Sequence, residues 1–404
     1  MNDYLTAKEA AEMLGISVAT LYAYVSRGML QSEATEGKSR ARRYRRGEVA
    51  ALLARQELRR NPTKAAETAL SFGTPVLASS LTLINNGRLF YCGHDVVALA
   101  QKRPFAEVAA LLWLGDWATT SLFSYEPPEA VWAQVAQLTP VLAGLPPLGR
   151  FQMVLPLAAA ADLAAYDTTP LAVAQTGVRI LRLLVGLVGA ADKNQPIPAQ
   201  LGQIWRVENA VELLNMALVL CADHELNVSS FTARCVASAG SDPYAVVGAG
   251  LAALQGGKHG GHTERVAALL REVATPERAA EVVRGRLRRG ESLSGFGHPL
   301  YPEGDPRGRL LLTAVAAAFP HSPAVALAQA LIAAVQRAVG KAPTLDVGLV
   351  VLAEALGLPP TAPLTLFAIG RTAGWLGHAI EQYQLDQLIR PRASYMGPMP
   401  VENG

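Results

Sequence analysis

The sequence contains little cysteine, few aromatic residues and almost no excess of either charge. Its three cysteines, Cys92, Cys221 and Cys235, are too few for a disulfide framework and lack the spacing of zinc ligands. No apolar segment typical of a signal peptide follows the N-terminus, and prolines and glutamines interrupt the long uncharged runs. These absences predict a cytoplasmic protein without a membrane span or a disulfide framework.

Alanine and leucine, by contrast, are abundant. Half of the 404 residues are hydrophobic and only 6% are aromatic, which favours a helix-rich protein of two or three domains with a large core. The net charge of +3 is unevenly placed. Residues 1–64 hold 12 Lys and Arg against 7 Asp and Glu, a balance of +5, which leaves −2 for the rest.

The first sixty residues have the pattern of a small module. Thr6 and Glu9 form a capping box before an apolar helical repeat, Gly15 ends that helix, and Ser17 caps a second one. The basic run KSRARRYRR, residues 38–46, follows, and a third helix is predicted from about Glu48. Two helices joined by a short turn are typical of a helix-turn-helix.

This module, residues 1–62, resembles the winged helix-turn-helix of the MerR/excisionase type, with the basic run as the wing. The resemblance implies that the second helix enters a DNA groove while the wing contacts phosphates. The candidate DNA-binding residues are Ser17, Thr20, Tyr22, Arg40, Arg42, Arg43 and Arg45. A module that binds protein or has lost its partner, with a solvated charge run, is the alternative.

Residues 65–220 are predicted to be mostly helical and to carry little chemistry. Residues 73–89 read as a short hairpin with the turn Asn85-Asn86-Gly87, and residues 92–117 read as two helices. Arg179 and Arg182 interrupt an otherwise apolar helix, and we place both on its solvent side.

Polar residues that could carry chemistry begin at residue 222. His224 follows an apolar helix in ADHELN, and four glycines surround His259 in GGKHGGH, where backbone and ligand could approach closely. His259 and His262 do not predict a metal site, because the glycines deny them a shared helical face and no third ligand has suitable spacing.

The most irregular stretch is GFGHPLYPEGDPR, residues 295–307, which holds His298 and Arg307 in a shaped loop. Asp346 begins an apolar helix, where it could be a general base with a raised pKa or an acid favoured by the helix dipole. Arg371 lies inside another apolar helix, which predicts an acidic partner from the protein or a ligand.

The last 150 residues thus hold three acid–base candidates and three guanidinium groups, namely His259, His298, Asp346, Arg307, Arg371 and Arg392. Paired arginines suit a small dicarboxylate. An acid–base set without a metal, a Cys or Ser nucleophile or a phosphate loop suits proton abstraction next to a carbonyl.

Residues from about 73 to 397 resemble the citrate synthase family, because ADHELN, the HGG loop, GFGH…DPR, the GRTAGW helix and RPR come in the family's order and spacing. The resemblance implies an all-α fold that works as a homodimer. The large domain would comprise residues 65–260 and 367–404, and a smaller domain that closes over the substrate would comprise residues 261–366. It also implies condensation of oxaloacetate with acetyl-CoA as a co-substrate, and no permanently bound cofactor.

Three residues would then be catalytic. Asp346 matches the base that removes a methyl proton from acetyl-CoA, and His259 matches the group that holds the enol or enolate oxygen. His298 matches the residue that polarises and protonates the oxaloacetate ketone. His224, Arg307 and Arg371 match oxaloacetate ligands, and Arg392 matches an arginine contributed by the partner subunit.

Some positions depart from the family pattern. Pro299 stands where a basic residue is common, Gly261-His262-Thr263 and Thr344-Leu345 replace the usual residues, and Cys92 stands where an arginine is frequent. None removes a catalytic group, but they leave the acyl-CoA preference open. Propionyl-CoA, giving 2-methylcitrate, is one alternative. A transcription regulator that senses a metabolite through this domain, and a citryl-CoA lyase, are the others.

Overall fold

The computed structural model describes residues 4–26, 30, 32–34, 42–46, 49, 52, 77–117, 122–393 and 395–398. The chain divides into two compact units, Met1–Ala78 and Ser79–Gly404. The predicted helical architecture is confirmed, since seventeen α-helices lie in the described parts of the chain and the two sheets are small.

The first unit combines two helices with a three-stranded sheet. Helices α1 (Ala7–Leu14) and α2 (Val18–Ser26) are joined by Gly15, whose φ of 63° ends α1 in the left-handed region. The predicted capping box of Thr6 and Glu9 is present. The antiparallel sheet has the order β1-β3-β2, with β1 Tyr4–Thr6, β2 Glu33–Ala34 and β3 Arg42–Arg45. Most of the helix predicted from Glu48 lies outside the described residues, although Val49 and Leu52 are buried in this unit's core.

The second unit begins with the predicted hairpin. Strands β4 (Thr82–Asn85) and β5 (Arg88–Tyr91) pair antiparallel, and β6 (His94–Asp95) adds to β5. Asn86 and Gly87 connect the first two strands with φ values of 50° and 70°, which the two central residues of a type I′ turn require. The hairpin therefore starts later than predicted, and residues 73–76 lie outside the described part of the chain.

Fifteen helices follow in the described part of this unit. They are α3 Val96–Lys102, α4 Phe105–Leu114, α5 Glu129–Leu142, α6 Pro147–Ala161, α7 Pro170–Val188, α8 Ile197–Trp205, α9 Val211–Cys221, α10 Val228–Ser238, α11 Pro243–Leu254, α12 Gly261–Val273, α13 Ala279–Arg288, α14 Pro306–Ala318, α15 Pro323–Val339, α16 Leu345–Leu356 and α17 Ala362–Leu385.

Helix α7 is long and apolar enough to cross a bilayer, but 67% of its most apolar window is buried inside the protein, so its composition reflects a place in the core.

The predicted solvent exposure of the two arginines on α7 is wrong for Arg179. Its side chain is 7% exposed, and its Nε donates to Asp162 Oδ2 at 2.7 Å. Arg182 is partly buried and pairs with the exposed Glu126. Both arginines find acidic partners outside the helix, which helical spacing alone does not reveal.

Helix α17 lies at the centre of the packing and contacts α7, α9, α10 and α11. Every residue from Ala368 to Ile380 is buried. Two glycines allow its backbone to approach α9 closely. A Cβ at Gly370 would lie 2.7 Å from the carbonyl oxygen of Leu218, and one at Gly374 would lie 2.4 Å from the carbonyl oxygen of Ala222. The motif GRTAGW is therefore also a packing motif.

We expect Gly374→Ala to destabilise the second unit by about 1–3 kcal/mol, because the added methyl has no room against a fixed backbone carbonyl. Urea unfolding followed by circular dichroism measures this change. Gly248→Ala in α11 is the matched control: its Cβ would meet nothing within 4 Å, so this variant gains roughly 0.5–1 kcal/mol of helix propensity. Equal stabilities of the two variants would contradict the packing argument.

Candidate functional site

The site is built on the turn that ends α9, residues 221–224. The hydroxyl of Tyr91 donates to the carbonyl of Asp223 at 2.9 Å and accepts from the amide of Asp223 at 3.0 Å. Arg371 Nε donates to the carbonyl of Cys221 at 2.7 Å, and the amide of Gly374 donates to the carbonyl of Ala222 at 2.9 Å. The turn is thus held from two sides before any ligand binds.

His224 projects from this turn against residues of the irregular loop. Its Nε2 lies 2.8 Å from the hydroxyl oxygen of Tyr301, and its ring centroid lies 5.3 Å from that of His298 in an edge-on arrangement. Burial, with the charges of Arg307 and Arg371, places the pKa of His224 well below its ordinary value. His224 is therefore neutral at neutral pH, a hydrogen-bonding group rather than a cation.

His298 has a defined tautomer. The backbone amide of Leu300 donates to its Nδ1 at 3.2 Å, so the proton of the neutral ring is on Nε2. Burial and the charge of Arg307 lower the pKa of His298, which favours that neutral form. Gly295 and Gly297, with φ of 85° and 81°, give the loop the left-handed backbone that brings His298 to this position. The ring can offer an N–H to a carbonyl oxygen.

His259 lies on the other side of the site and is oriented by Ser229. Its Nε2 is 2.9 Å from Ser229 Oγ, which also accepts from Trp375 Nε1 at 3.2 Å. The serine hydroxyl donates to Asn227 Oδ1 at 2.8 Å, so His259 donates from Nε2 in this arrangement. Burial lowers the pKa of His259 to about 4. If Ser229 turned its proton to Nε2, a neutral His259 could donate from Nδ1 instead.

Arg307 forms a two-point salt bridge with Asp305. Asp305 caps α14, and it accepts from Arg307 Nε at Oδ1 (3.0 Å) and from Nη2 at Oδ2 (2.9 Å). Asp305 Oδ2 also accepts from the amide of Leu345 at 3.1 Å, which ties the start of α14 to the start of α16. Burial disfavours the guanidinium charge, but Asp305 raises the pKa of Arg307 above its ordinary value. Arg307 stays a cation.

Asp346 lies in the first turn of α16, so both the helix dipole and the core act on it. Burial raises its pKa, while His262 and a hydrogen bond from Thr344 Oγ1 at 3.1 Å oppose that shift. A carboxylate with a raised pKa is a stronger base than an ordinary aspartate.

Arg371 has donor capacity that the protein does not use. It is 1% exposed, yet its Nη1 has no hydrogen-bond partner among the described residues. Its guanidinium carbon lies 4.6 Å from the ring centroid of Phe367, and the His259 ring packs edge-on against the same phenyl at 5.7 Å. Burial lowers the pKa of Arg371, and the charge of Asp223 opposes this. A buried cation with a free N–H suits an anionic ligand.

Six of the seven predicted residues in this unit therefore lie within electrostatic reach of one another: the pKa of His224 depends on Arg307, Arg371, His298 and His259, and that of Asp346 on Arg307. Arg392 does not join them in this chain and is exposed after α17. Among the described residues, no three His, Cys, Asp or Glu side chains group as a metal site would need.

Sequence reasoning missed Tyr301, Ser229 and Asp305. Tyr301 lies in the loop already selected and Asp305 in the DPR motif, so both were in view, but only the fold shows what they contact. Ser229 follows ADHELN directly, and its link to His259 spans 30 residues.

The candidate DNA-binding residues lie in two places, at helix α2 and in the basic run. At the helix, Tyr22 is 52% exposed, and the hydroxyls of Ser17 and Thr20 are hydrogen-bonded to each other at 2.9 Å. In the wing, Arg43 and Arg45 both pair with Glu33, at 3.2 and 2.9 Å. Arg42 donates to Ser32 Oγ at 2.8 Å. The predicted contact Arg40 lies outside the described residues.

Comparisons with known proteins agree with both regions. The family model "Citrate synthase, C-terminal domain" matches residues 70–392, and "Helix-turn-helix domain" matches residues 4–57. Citrate synthase 2 of Bacillus subtilis is 29% identical, covering 82% of this chain and 97% of that protein. A putative citrate synthase 2 of Mycobacterium tuberculosis is 32% identical, covering 78% and 88%. A 2-methylcitrate synthase of Corynebacterium glutamicum is 27% identical, covering 79% and 91%.

The structural comparison gives the same result. The crystal structure of citrate synthase from Thermotoga maritima superposes with a TM-score of 0.68 at 28% identity, covering 82% of this chain and 96% of that chain. The order of motifs, the buried arginines and histidines, and the family match over residues 70–392 agree. The chain therefore belongs to the citrate synthase family, and a helix-turn-helix domain precedes its citrate synthase domain.

Proposed function

We propose that this protein condenses acetyl-CoA with oxaloacetate and hydrolyses the resulting thioester, giving citrate and CoA. The observation that carries the proposal is the buried Arg371, whose Nη1 has no partner among the described residues and lies in a site with three neutral histidines and a second buried arginine. Such a site suits a small dianion with a carbonyl between its charges.

In the proposed chemistry, Asp346 takes a proton from the methyl group of acetyl-CoA. His259 donates a hydrogen bond to the thioester oxygen, on which negative charge develops. The new carbon nucleophile attacks the ketone carbon of oxaloacetate, and the Nε2–H of His298 protonates the ketone oxygen as the carbon–carbon bond forms. Water then cleaves the thioester. His224, Arg307 and Arg371 hold the two carboxylates.

Exclusion of water makes the first step feasible, since a weakly acidic α-proton is removed by a carboxylate. We infer that residues 261–366 form the small closing domain, and that the remainder of residues 65–404 forms the large one. The hydrogen bond between the Tyr301 hydroxyl and His224 supports this, because it joins the two parts and closure would strengthen contacts between them.

We infer a homodimer in which Arg392 enters the partner's site. A subunit contact on this unit is supported by exposed apolar residues just before α7 and in its first turn. The exposed fractions are 80% for Leu163, 73% for Tyr166 and 55% for Leu171. The exposure of Arg392 in the single chain supports its use elsewhere.

A 2-methylcitrate synthase that uses propionyl-CoA is the second candidate, supported by the similarity to the Corynebacterium enzyme. The ratio of CoA release with the two thioesters, measured with a thiol-reactive dye and saturating oxaloacetate, decides between them. A transcription regulator is the third candidate, supported by the helix-turn-helix match. If the protein binds oxaloacetate but releases CoA from neither thioester, both synthase candidates are rejected and the regulator is supported.

Replacing Asp346 tests the base. Asp346→Asn keeps the shape but cannot accept the methyl proton, so we expect kcat for CoA release to fall by about 10³-fold, the usual contribution of a general base. Glu354→Gln is the control, since this acid is exposed on the same helix and should leave kcat unchanged. Full activity of Asp346→Asn would remove Asp346 from the mechanism.

Mixed dimers test the sharing of Arg392. Asp346→Ala and Arg392→Ala chains should each be inactive alone. After subunit exchange, about half of the mixed dimer's sites would combine an intact Asp346 with an intact Arg392 from the partner, and activity should return. Size-exclusion chromatography with light scattering verifies the dimer. If the exchanged dimers stay inactive, each chain uses its own Arg392.

Replacing Glu33 tests whether the first unit binds DNA. Because Glu33 offsets the charges of Arg43 and Arg45, Glu33→Gln should strengthen binding to a duplex selected from a random pool. Arg43→Ala should weaken it and reduce the slope of log K against log salt by about 0.9. Fluorescence anisotropy at several salt concentrations measures both. Arg271→Ala, an exposed arginine of the other unit, is the control. Unchanged slopes would exclude phosphate contacts by the wing.

A further inference from the structure

Asp223 and His378 form a buried pair beside the site that the proposed chemistry does not use. His378 Nε2 lies 3.3 Å from Asp223 Oδ1, and both side chains are 0% exposed. Neither ring nitrogen of His378 has a well-oriented hydrogen bond among the described residues, and the carboxylate of Asp223 is the acid that faces Nε2. A buried pair of this kind adds little stability relative to apolar residues, so its position next to His224 calls for another explanation.

The carboxylate of Asp223 is fixed at both oxygens. Its Oδ2 accepts from Thr82 Oγ1 at 2.6 Å, and its Oδ1 lies 3.4 Å from the hydroxyl of Ser230, in addition to facing His378. Burial alone would raise the pKa of Asp223, but the charges of His378 and Arg371 bring it below the ordinary value. Asp223 is therefore a carboxylate, and it is the counter-charge that offsets the burial of Arg371.

One face of α17 meets the turn residue by residue. Arg371, Gly374 and His378 are spaced three and four apart, so they lie on the same side of the helix. Arg371 binds the carbonyl of Cys221, Gly374 binds that of Ala222, and His378 faces the side chain of Asp223. The next residue is His224. The position of its imidazole, and the aim of the Arg371 guanidinium, both depend on how this turn is held.

We propose that His378 is a positioning residue of the oxaloacetate site, one that holds Asp223 and thereby fixes His224 and Arg371 for the substrate. This inference rests on the proposed function for the identity of the ligand. Without His378, the Asp223 carboxylate loses the imidazole that faces its Oδ1 and is drawn to Arg371. It then competes with a substrate carboxylate for the guanidinium. The effect falls on oxaloacetate binding rather than on proton transfer at Asp346.

The test compares His378→Leu with His378→Gln in the full-length protein. Steady-state CoA release gives kcat and both KM values, and calorimetry gives the Kd of oxaloacetate. In His378→Leu, KM and Kd for oxaloacetate should rise roughly tenfold, as expected for a lost charged contact. The kcat at saturating oxaloacetate and the KM of acetyl-CoA should stay within about twofold, since neither depends on the turn. In His378→Gln the side-chain amide can donate to Asp223, so binding should largely recover.

Two threonine variants complete the design. Thr82→Val removes the hydrogen bond to Asp223 Oδ2 without changing side-chain shape and should raise the Kd of oxaloacetate by roughly threefold. If His378→Leu does not fold, Thr82→Val tests whether the position of Asp223 controls oxaloacetate binding. Thr365→Val is the matched control, because Thr365 is fully buried on α17 and donates only to the carbonyl of Thr361 in the preceding turn. Its Kd should be unchanged.

The outcomes separate this inference from the proposed function. Wild-type binding of oxaloacetate by folded His378→Leu, or a Gln variant as impaired as the Leu variant, would overturn the positioning role. Weakened oxaloacetate binding with no CoA release even from the wild type would support the positioning role while rejecting the synthase. A wild-type protein that does not bind oxaloacetate would reject both.

Discussion

The close approach of α17 to the turn ending α9 is the constraint on which the second unit depends. It requires Gly370 and Gly374, because a Cβ at either position would overlap a backbone carbonyl of the facing helix. Once the helices are this close, the carbonyls of Cys221 and Ala222 become partners for α17 instead of ending unsatisfied. The same contact that packs the core thus determines where His224 and Arg371 lie.

Four arginines of the second unit are buried, and three of them show different ways to offset the burial of a charge. Arg179 is satisfied by Asp162 and Thr176, and Arg307 by Asp305. Arg371 is satisfied only partly, by a single carbonyl and the more distant charge of Asp223. Neither burial of a charge nor an unused donor is by itself a sign of function, because buried Arg234 also has an Nη2 without a partner among the described residues, although it binds Glu381 and Gln382. What distinguishes Arg371 is that its unused donor lies beside the histidines of the candidate site.

Much of the fold and of the candidate site could be predicted because the signals are local. Apolar periodicity gave the helices, the sequence Asn86-Gly87 gave the hairpin turn, and glycines and prolines marked the loop around His298. The errors have a common physical origin. The acid that binds Arg179, Asp162, lies outside the helix of that arginine, and the Asp223–His378 pair joins residues 155 positions apart in the chain. Such pairings are decided by tertiary packing, which no short-range pattern encodes.

The burial of α17 on all sides also affects how the protein folds. A helix without a solvent-facing stripe gains little from forming alone, and its stability comes from neighbours on every face. Those neighbours are far away in the chain: Trp113 Nε1 donates to the carbonyl of Ala373 at 2.8 Å, across 260 residues. During synthesis, the apolar faces of α4, α9 and α11 therefore stay uncovered until residues 362–385 have emerged from the ribosome. Arg371 of the candidate site arrives in the same late event, so a nascent chain that stalls earlier has neither a closed core nor a complete candidate site and exposes apolar surface that is prone to aggregation.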